Sequence, residues 1–220
     1  ISTVFLNFAL PDNPAFTISW NDDVTESDTY TVEMATESEF ASPSTLGTTD
    51  ANNFSMTVSE FNNAIAAAET TSFKDIAIYM RVSSGSTLSN SILMLVTTYP
   101  VNAPEINTPS NGDSFVLSID KNNEVATIVE WTDPILESSL GMDVEYVLET
   151  ALAGTEFAAP AEAGNVINMN SIALTHSELN AAAIKSGIEA DTTGDLDMRL
   201  IATITDVTTG SVLERISEPI

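Results

Sequence analysis

Two tryptophans, Trp20 and Trp131, are the residues in this sequence best suited to hold a sugar, because apolar sugar faces pack on flat aromatic rings. Each ends a short alternating run of residues and is followed at once by an acidic turn. The alternation places both indoles on the inward face of a strand, so we interpret them as core residues of a β-sandwich. We interpret Tyr30 and Tyr146 in the same way.

Four other aromatic residues are better candidates for exposure, because they have no counterpart in the repeated pattern described below. They are Phe54, Phe73, Tyr79 and Phe115. They do not cluster in the sequence, so we assign none of them to a ligand, and the ligand-binding residues stay unknown.

Arg81 and Arg199 are two of only six basic residues, yet they occupy one repeated strand position. A functional interpretation would have them contact an acidic glycan. We favour a structural interpretation, in which each guanidinium pairs with nearby carboxylates or stacks on an aromatic ring.

An acidic segment after Trp20 contains enough oxygen ligands to suggest calcium binding, through Asn21, Asp22, Asp23, Glu26 and Asp28. It lacks the ligand spacing of an EF-hand loop, and its counterpart Thr132-Asp133-Pro134 keeps only one of the acids. We therefore interpret it as a solvated turn and predict no metal site. We interpret the segment Asp120–Glu124 as a hairpin turn.

The sequence predicts no catalytic residue and no cofactor. It contains no cysteine, and its one histidine, His176, lies beside a predicted helix cap, where we interpret it as a surface residue. Carboxylates are numerous, but in a chain with 32 acidic residues their number does not identify a glycosidase pair. No nucleophile elbow, phosphate loop or His-x-x-x-His motif is present.

The formal net charge of -26 bears on the class of partner. Such an acidic surface repels phosphate backbones and anionic lipid headgroups, which argues against nucleic-acid binding. The sequence shows no signal peptide, and no run approaches the roughly 20 apolar residues that span a bilayer.

The two halves of the sequence align with each other, and the offset between them grows only in turn-rich stretches. The aligned pairs include Trp20 with Trp131, Tyr30 with Tyr146, Phe40 with Phe157, and Arg81 with Arg199. This repeat indicates a duplicated module, because loops absorb insertions more easily than strands do.

Short alternating segments in each half predict strands, as in Tyr30–Ala35. Capping boxes, Thr57 with Glu60 and Thr175 with Glu178, predict helices at about 58–68 and 176–186. The predicted fold class is therefore all-β: two tandem immunoglobulin-like or fibronectin III-like β-sandwiches, each with one short helix.

We predict two domains, residues 1–100 and 101–220, joined by the stiff segment Tyr99–Pro104, and we expect them to pack end to end as a rod. Strands around Leu6 and Leu117 are expected to correspond, because each leucine stands at the same distance before a tryptophan. The comparison of the halves predicts a trimmed first strand in the first domain and a missing last strand in the second. We therefore expect the natural protein to extend in both directions.

Five repeated features together carry a family resemblance. They are a strand ending in Trp-x-Asp, a Tyr-x-Val/Leu-Glu strand, a Glu-Phe-Ala-x-Pro turn, a Ser-Glu-Phe/Leu-Asn helix start, and a strand carrying arginine. This pattern resembles the N-terminal immunoglobulin-like domain of SusE-type outer-membrane lipoproteins, here present twice.

The resemblance implies a non-catalytic, lipid-anchored protein of the outer membrane, exposed at the cell surface, that captures polysaccharide in a Sus-type uptake system. Its implied partners are a SusC-like TonB-dependent porin and a SusD-like lipoprotein. In that family the sugar-binding platforms generally lie C-terminal to the immunoglobulin-like part, so this portion would be a spacer and docking stalk. The lipid-carrying cysteine would lie upstream of Ile1.

Two other functions remain open from the sequence. The chain could belong to an adhesin or assembly protein whose immunoglobulin-like modules bind another protein directly. It could also be an accessory part of a secreted glycosidase, with a catalytic domain beyond Ile220.

Overall fold

A computed structural model describes residues 2–25, 27–68, 73–137 and 142–220 of the chain. The chain forms two compact units: Ile1–Val101 belongs to the first, and Asn102–Glu137 and Gly141–Ile220 form the second. Glu26, one of the acids considered above as a calcium ligand, lies outside the described residues.

The first unit contains two sheets. Its strands are β1 (Ser2–Phe5), β2 (Pro14–Ser19), β3 (Tyr30–Ala35), β4 (Ser44–Thr49), β5 (Asn53–Thr57), β6 (Ile76–Ser84), β7 (Thr87–Leu88) and β8 (Ile92–Thr97). One sheet has the order β1-β8-β6-β3-β4, with β7 also paired to β6, and the other consists of β2 and β5. β1 runs parallel to β8, and the other pairs are antiparallel.

The second unit repeats this plan with a different first strand. Its strands are β9 (Glu105–Thr108), β10 (Val125–Thr132), β11 (Val144–Leu152), β12 (Ala161–Ile167), β13 (Ser171–Thr175), β14 (Leu196–Thr205) and β15 (Val212–Ile216). One sheet has the order β12-β11-β14-β15, and the other has the order β13-β10-β9. Together the two units confirm the predicted all-β class of immunoglobulin-like or fibronectin III-like sandwiches.

One short helix lies in each unit: α1 is Val58–Ala67 and α2 is His176–Lys185. In both, the preceding threonine accepts a hydrogen bond from the backbone of the third helical residue, whose glutamate accepts one in return. These reciprocal bonds satisfy backbone N–H groups that have no partner within the first turn of a helix. For that reason a capping box in the sequence predicts where each helix begins.

Alternating burial along the strands builds the cores. In β3, Val32 and Met34 are buried, and in β6, Ile78 and Met80 are buried. Phe61 of α1 packs edge-on against a phenylalanine of β2 at a centroid distance of 4.7 Å. The helix therefore closes the first core from the side of the smaller sheet.

A β-bulge recurs at the same place in both units. The β3–β4 register shifts after Val32, and the β11–β12 register shifts after Leu148. The residues opposite them are Gly47 and Gly164, and a Cβ at either position would lie 2.7 Å from a neighbouring side chain. Glycine therefore suits both positions because the backbone passes close to packed side chains.

The predicted correspondence of the strands around Leu6 and Leu117 is wrong. Leu6 is buried at the end of β1, whereas residues 113–118 form no strand. β1 exists because it pairs with β8, and within the described part of the chain no strand lies beside residues 113–118. The segment is instead held by a hydrogen bond from the backbone of Ser118 to Nδ1 of His176, at 3.3 Å.

The hairpin turn predicted at Asp120–Glu124 is also corrected. Ile119–Lys121 forms a short 3-10 helix, capped by the Ser118 side chain. A hairpin needs a strand on each side of the turn, and here only β10 follows.

Candidate functional site

Trp131, Tyr146 and Asp133 form one buried cluster in the second unit. Trp131 is 2% exposed, and its ring centroid lies 5.1 Å from that of Tyr146. The Tyr146 hydroxyl donates to Oδ2 of Asp133 at 2.7 Å. The core interpretation of Trp131 and Tyr146 is confirmed, and neither ring is available to stack on a ligand.

Arg215 of β15 completes this cluster. Its Nη1 and Nη2 donate to the two carboxylate oxygens of Asp133 at 2.8 and 2.7 Å, and Nη1 also donates to the carbonyl of Asn102 at 3.0 Å. Both side chains of the ion pair are buried, at 3% and 0% exposure. Burial, together with the hydrogen bond to Asp133, raises the pKa of the Tyr146 hydroxyl. The buried charges of Asp133 and Arg215 therefore compensate each other directly.

The sequence pattern does not predict this ion pair. Asp133 stands in the sequence as the one remaining acid of a turn, and Arg215 belongs to no repeated motif. The available signal was a basic residue inside the alternating segment Val212–Ile216, in a chain with only six basic residues. A buried cation in a strand requires a carboxylate partner nearby.

The first unit contains the same cluster without the arginine. Trp20 packs edge-on against Tyr30 at 5.3 Å, and the Tyr30 hydroxyl donates to Oδ2 of Asp22 at 2.9 Å. Asp22 also accepts hydrogen bonds from the hydroxyl and backbone of Thr25 and from the backbone of Val24. These bonds, the Thr25 hydroxyl first, lower the pKa of the Asp22 carboxyl.

The hydrogen bonds of Asp22 favour the solvated-turn interpretation over a calcium site. Its carboxylate accepts hydrogen bonds from Val24 and Thr25 of its own turn and from the hydroxyl of Tyr30, so these contacts already engage its oxygens. Within residues 2–25, 27–68, 73–137 and 142–220, no group of three or more His, Cys, Asp or Glu side chains is placed to hold a metal ion.

The two tryptophans differ in burial. Val129 and Trp131 on the core face of β10 are 0% and 2% exposed, whereas the aligned Ile18 of β2 and Trp20, which directly follows β2, are only half-buried. In the second unit β9 lies along β10, with Ile106 paired to Trp131. In the described part of the first unit, β2 pairs only with β5. The prediction of a core position therefore holds fully for Trp131 and only in part for Trp20.

Arg81 makes both contacts that the structural interpretation proposed. Its Nε donates to Oε2 of Glu33 at 2.7 Å, directly across the β3–β6 pair. Its guanidinium carbon also lies 4.2 Å from the ring centroid of Phe40. An ion pair and a cation–π contact thus hold one guanidinium on the outer face of the sheet.

The second unit repeats this arrangement. Arg199 donates to Glu149 at 2.9 Å across the β11–β14 pair and lies 4.3 Å from the ring centroid of Phe157. Phe40 and Phe157 both adopt left-handed backbone conformations, with φ of 51° and 55°. The Glu-Phe-Ala-x-Pro turn therefore positions a ring for the arginine, and the structural interpretation of both arginines is confirmed.

Among the four aromatic residues expected to be exposed, only Phe115 is, at 38%. Phe54, Phe73 and Tyr79 are partly buried. Phe54 covers Gly47, where a Cβ would meet its ring at 2.7 Å, and lies 6.4 Å from Phe16. The exposure prediction therefore holds for Phe115 but not for these three residues, and for Phe54 the reason is packing against Gly47 and Phe16, which the repeat does not reveal.

A shallow cleft of about 400 Å³ lies in the first unit between the end of β3 and the end of α1. The described residues that line it include Met34, Glu37, Ser42 and Ala67, and none of those described is aromatic. Oε1 of Glu37 accepts a hydrogen bond from the backbone of Ala41 at 2.9 Å. The described lining therefore offers no aromatic ring on which a sugar could stack.

The family model described as SusE outer membrane protein matches residues 1–83 and 94–201. No curated relative matches the chain. Among solved structures, the chicken CNTN1 FN1-FN3 domains match with 9% identity and a TM-score of 0.24, over 92% of this chain and 62% of that one.

None of the helices in the described residues is long and apolar enough to cross a bilayer.

The family match covers most of both units, including both tryptophans, both Trp-x-Asp sequences and both Arg–Glu–Phe clusters. The resemblance noted in the sequence is thereby confirmed: the chain belongs to the SusE outer membrane protein family.

Proposed function

We propose that this chain is the spacer and docking stalk of a non-catalytic, glycan-binding lipoprotein at the cell surface, in a Sus-type polysaccharide uptake system. One observation carries the spacer role. The repeated residues that could bind a sugar, two tryptophans and two arginines, all contact side chains of their own unit. Their repetition is accounted for by packing.

Membership of the SusE family supports a proposal for the partners. A SusC-like TonB-dependent porin and a SusD-like lipoprotein would receive the polysaccharide, and sugar-binding domains outside this portion would capture it. A lipid on an upstream cysteine would hold the protein in the outer membrane. Purification from the native membrane tests these partners: co-isolation with the porin and the SusD-like lipoprotein supports the proposal, whereas an adhesive matrix or secretion partner contradicts it.

The spacer role is tested by titrating glycans against this chain and the full-length protein side by side. We expect the full-length protein to bind polysaccharide and this chain to bind at least about a hundredfold more weakly, a difference of nearly 3 kcal/mol. A Trp20→Ala variant of the full-length protein is the matched control, and its affinity should be unchanged. Equal affinities of chain and full-length protein would refute the spacer role.

A further inference from the structure

The first turns of α1 and α2 are held by the same backbone bonds but differ in one side chain. The backbone N–H of Val58 donates to the carbonyl of Asn13 at 2.8 Å, and that of His176 donates to the carbonyl of Glu124 at 3.0 Å. Val58 is buried, whereas His176 is half-buried. The second unit therefore has a titratable side chain at the position where the first unit has an apolar one.

The ring of His176 accepts a hydrogen bond from the backbone of Ser118. The N–H of Ser118 donates to Nδ1 at 3.3 Å. An imidazole nitrogen accepts only when it carries no proton, so this bond requires the neutral ring with its proton on Nε2. A ring with two protons has a donor at each nitrogen, and the N–H of Ser118 then loses its acceptor.

This bond attaches an irregular stretch of the chain to α2. Residues 113–118 belong to no helix or strand, and Asp113 to Val116 are exposed. Ser118 is half-buried and precedes the short 3-10 helix Ile119–Lys121. The protonation state of one ring therefore decides whether this segment has a hydrogen bond to the first turn of α2.

The charged groups near the ring come from three places. Asp120 and Lys121 lie in the 3-10 helix, Glu124 follows it, and Glu178 belongs to the first turn of α2. Of the strands packed against α2, β13 has no charged residue, and the glutamates of β10, β11 and β12 lie on the outer faces of their sheets. The three nearby acids favour a protonated ring, whereas the positive end of the α2 dipole opposes it.

His176 is the side chain suited to change charge near neutral pH. It is the one histidine of the chain, and the chain has no cysteine. Imidazoles gain their second proton between about pH 8 and pH 5, whereas aspartate and glutamate ordinarily stay ionised over that range.

We propose that His176 is a pH-dependent attachment between α2 and residues 113–118: the neutral ring holds Ser118, and the protonated ring releases it. On release, the exposed side chains of Phe115 and Val116 would lose their fixed position. The proposal goes beyond the spacer role and does not depend on it.

The test uses the isotope-labelled 220-residue chain, followed by NMR from about pH 7.5 to about pH 5. We expect the amide resonance of Ser118 to move with the same midpoint as the ring resonances of His176, because protonation of Nδ1 changes both. The protection of this amide against hydrogen exchange, corrected for the intrinsic effect of pH, should fall about tenfold as the bond is lost.

Two substitutions at the same position are the matched controls. His176→Asn keeps a side-chain acceptor that does not titrate, so the Ser118 amide should stay protected at both ends of the pH range. His176→Val introduces the residue type of the first unit and removes the acceptor, so the amide should be unprotected at both ends. Circular dichroism shows whether the variants fold, and if one does not, the titration of the unchanged chain decides alone.

Three results would overturn the proposal. The first is a Ser118 amide that keeps its resonance and its protection while the His176 ring titrates. The second is the same pH dependence in all three chains, which would assign it to Asp120, Glu124 or Glu178. The third is a neutral ring whose nitrogen resonances place the proton on Nδ1, where it could not accept from Ser118.

Discussion

At the scale of single residues, two ion pairs that join neighbouring segments of the second unit differ in burial. Asp133 and Arg215 are 0% and 3% exposed, whereas Glu149 and Arg199 are 18% and 24% exposed. Removing one partner of a buried pair leaves an uncompensated charge and costs about 3–5 kcal/mol. Water screens a partly exposed pair, which contributes about 0–1 kcal/mol.

We predict that Asp133→Ala lowers the free energy of unfolding of the second unit by about 3–5 kcal/mol, because Arg215 stays buried without its carboxylate. The measurement is urea denaturation followed by Trp131 fluorescence, in a Trp20→Phe background so that only the second unit is observed. The slope of the transition should not change.

Glu149→Gln is the matched control in the same unit. It removes the carboxylate of the partly exposed pair and should cost about 1 kcal/mol or less. Equal losses for the two substitutions would mean that burial does not distinguish these ion pairs, which would contradict the argument.

At the scale of elements, the two helices depend on their first turns. The backbone and hydroxyl of Thr57 donate to Glu60, and those of Thr175 donate to Glu178. These bonds, the backbone bond first, lower the pKa of both glutamates from their ordinary value of 4.5. Each cap is therefore strongest when its glutamate is ionised.

The caps predict a pH dependence. Because the folded-state pKa of Glu178 is lowered, its contribution is fully present above the ordinary value of 4.5 and is lost as the pH falls through the folded value. We expect Glu178→Gln to lower the melting temperature at pH 7, and the difference from the unchanged chain to shrink below pH 4.5. Circular dichroism melts between about pH 7 and pH 3 measure it.

A conservative variant checks the cause of this pH dependence. Thr175→Ser keeps the hydroxyl and the backbone donor, so it should retain the pH dependence of the unchanged chain. A melting-temperature difference between Glu178→Gln and the unchanged chain that stays constant across the whole pH range would show that the cap does not act through ionisation.

At the scale of the whole molecule, the dominant property is charge. With 32 acidic and 6 basic residues, the folded chain repels itself, and salt screens that repulsion. We predict that raising sodium chloride from about 10 mM to about 150 mM raises the melting temperature of both units, because the Debye length falls from about 30 to about 8 Å. Scanning calorimetry measures both transitions.

Ion specificity distinguishes screening from binding. Potassium chloride at the same ionic strength should give the same shift as sodium chloride. Calcium at about 1 mM, added in about 150 mM salt, where screening is already nearly complete, should leave both transitions in place. A calcium shift confined to the first unit would contradict the solvated-turn interpretation of the segment after Trp20.

The features predicted correctly from the sequence are local or repeated. The helices were located because a capping box is read within four residues, at Thr57–Glu60 and Thr175–Glu178. The structural role of the arginines followed from their recurrence at one strand position, since a duplicated packing contact recurs with its module. The fold class followed from alternation of residue types along short segments.

The features that only the tertiary structure decided depend on which segment lies beside which. Asp133 and Arg215 are 82 residues apart, so nothing local in the sequence pairs them. Trp20 and Trp131 have equivalent local sequences, yet β9 lies beside the strand of only one of them. Burial depends on neighbours that are distant in sequence. The sequence by itself therefore determined the repeated module, whereas the strand that lies beside each tryptophan-bearing segment determined how deeply that tryptophan is buried.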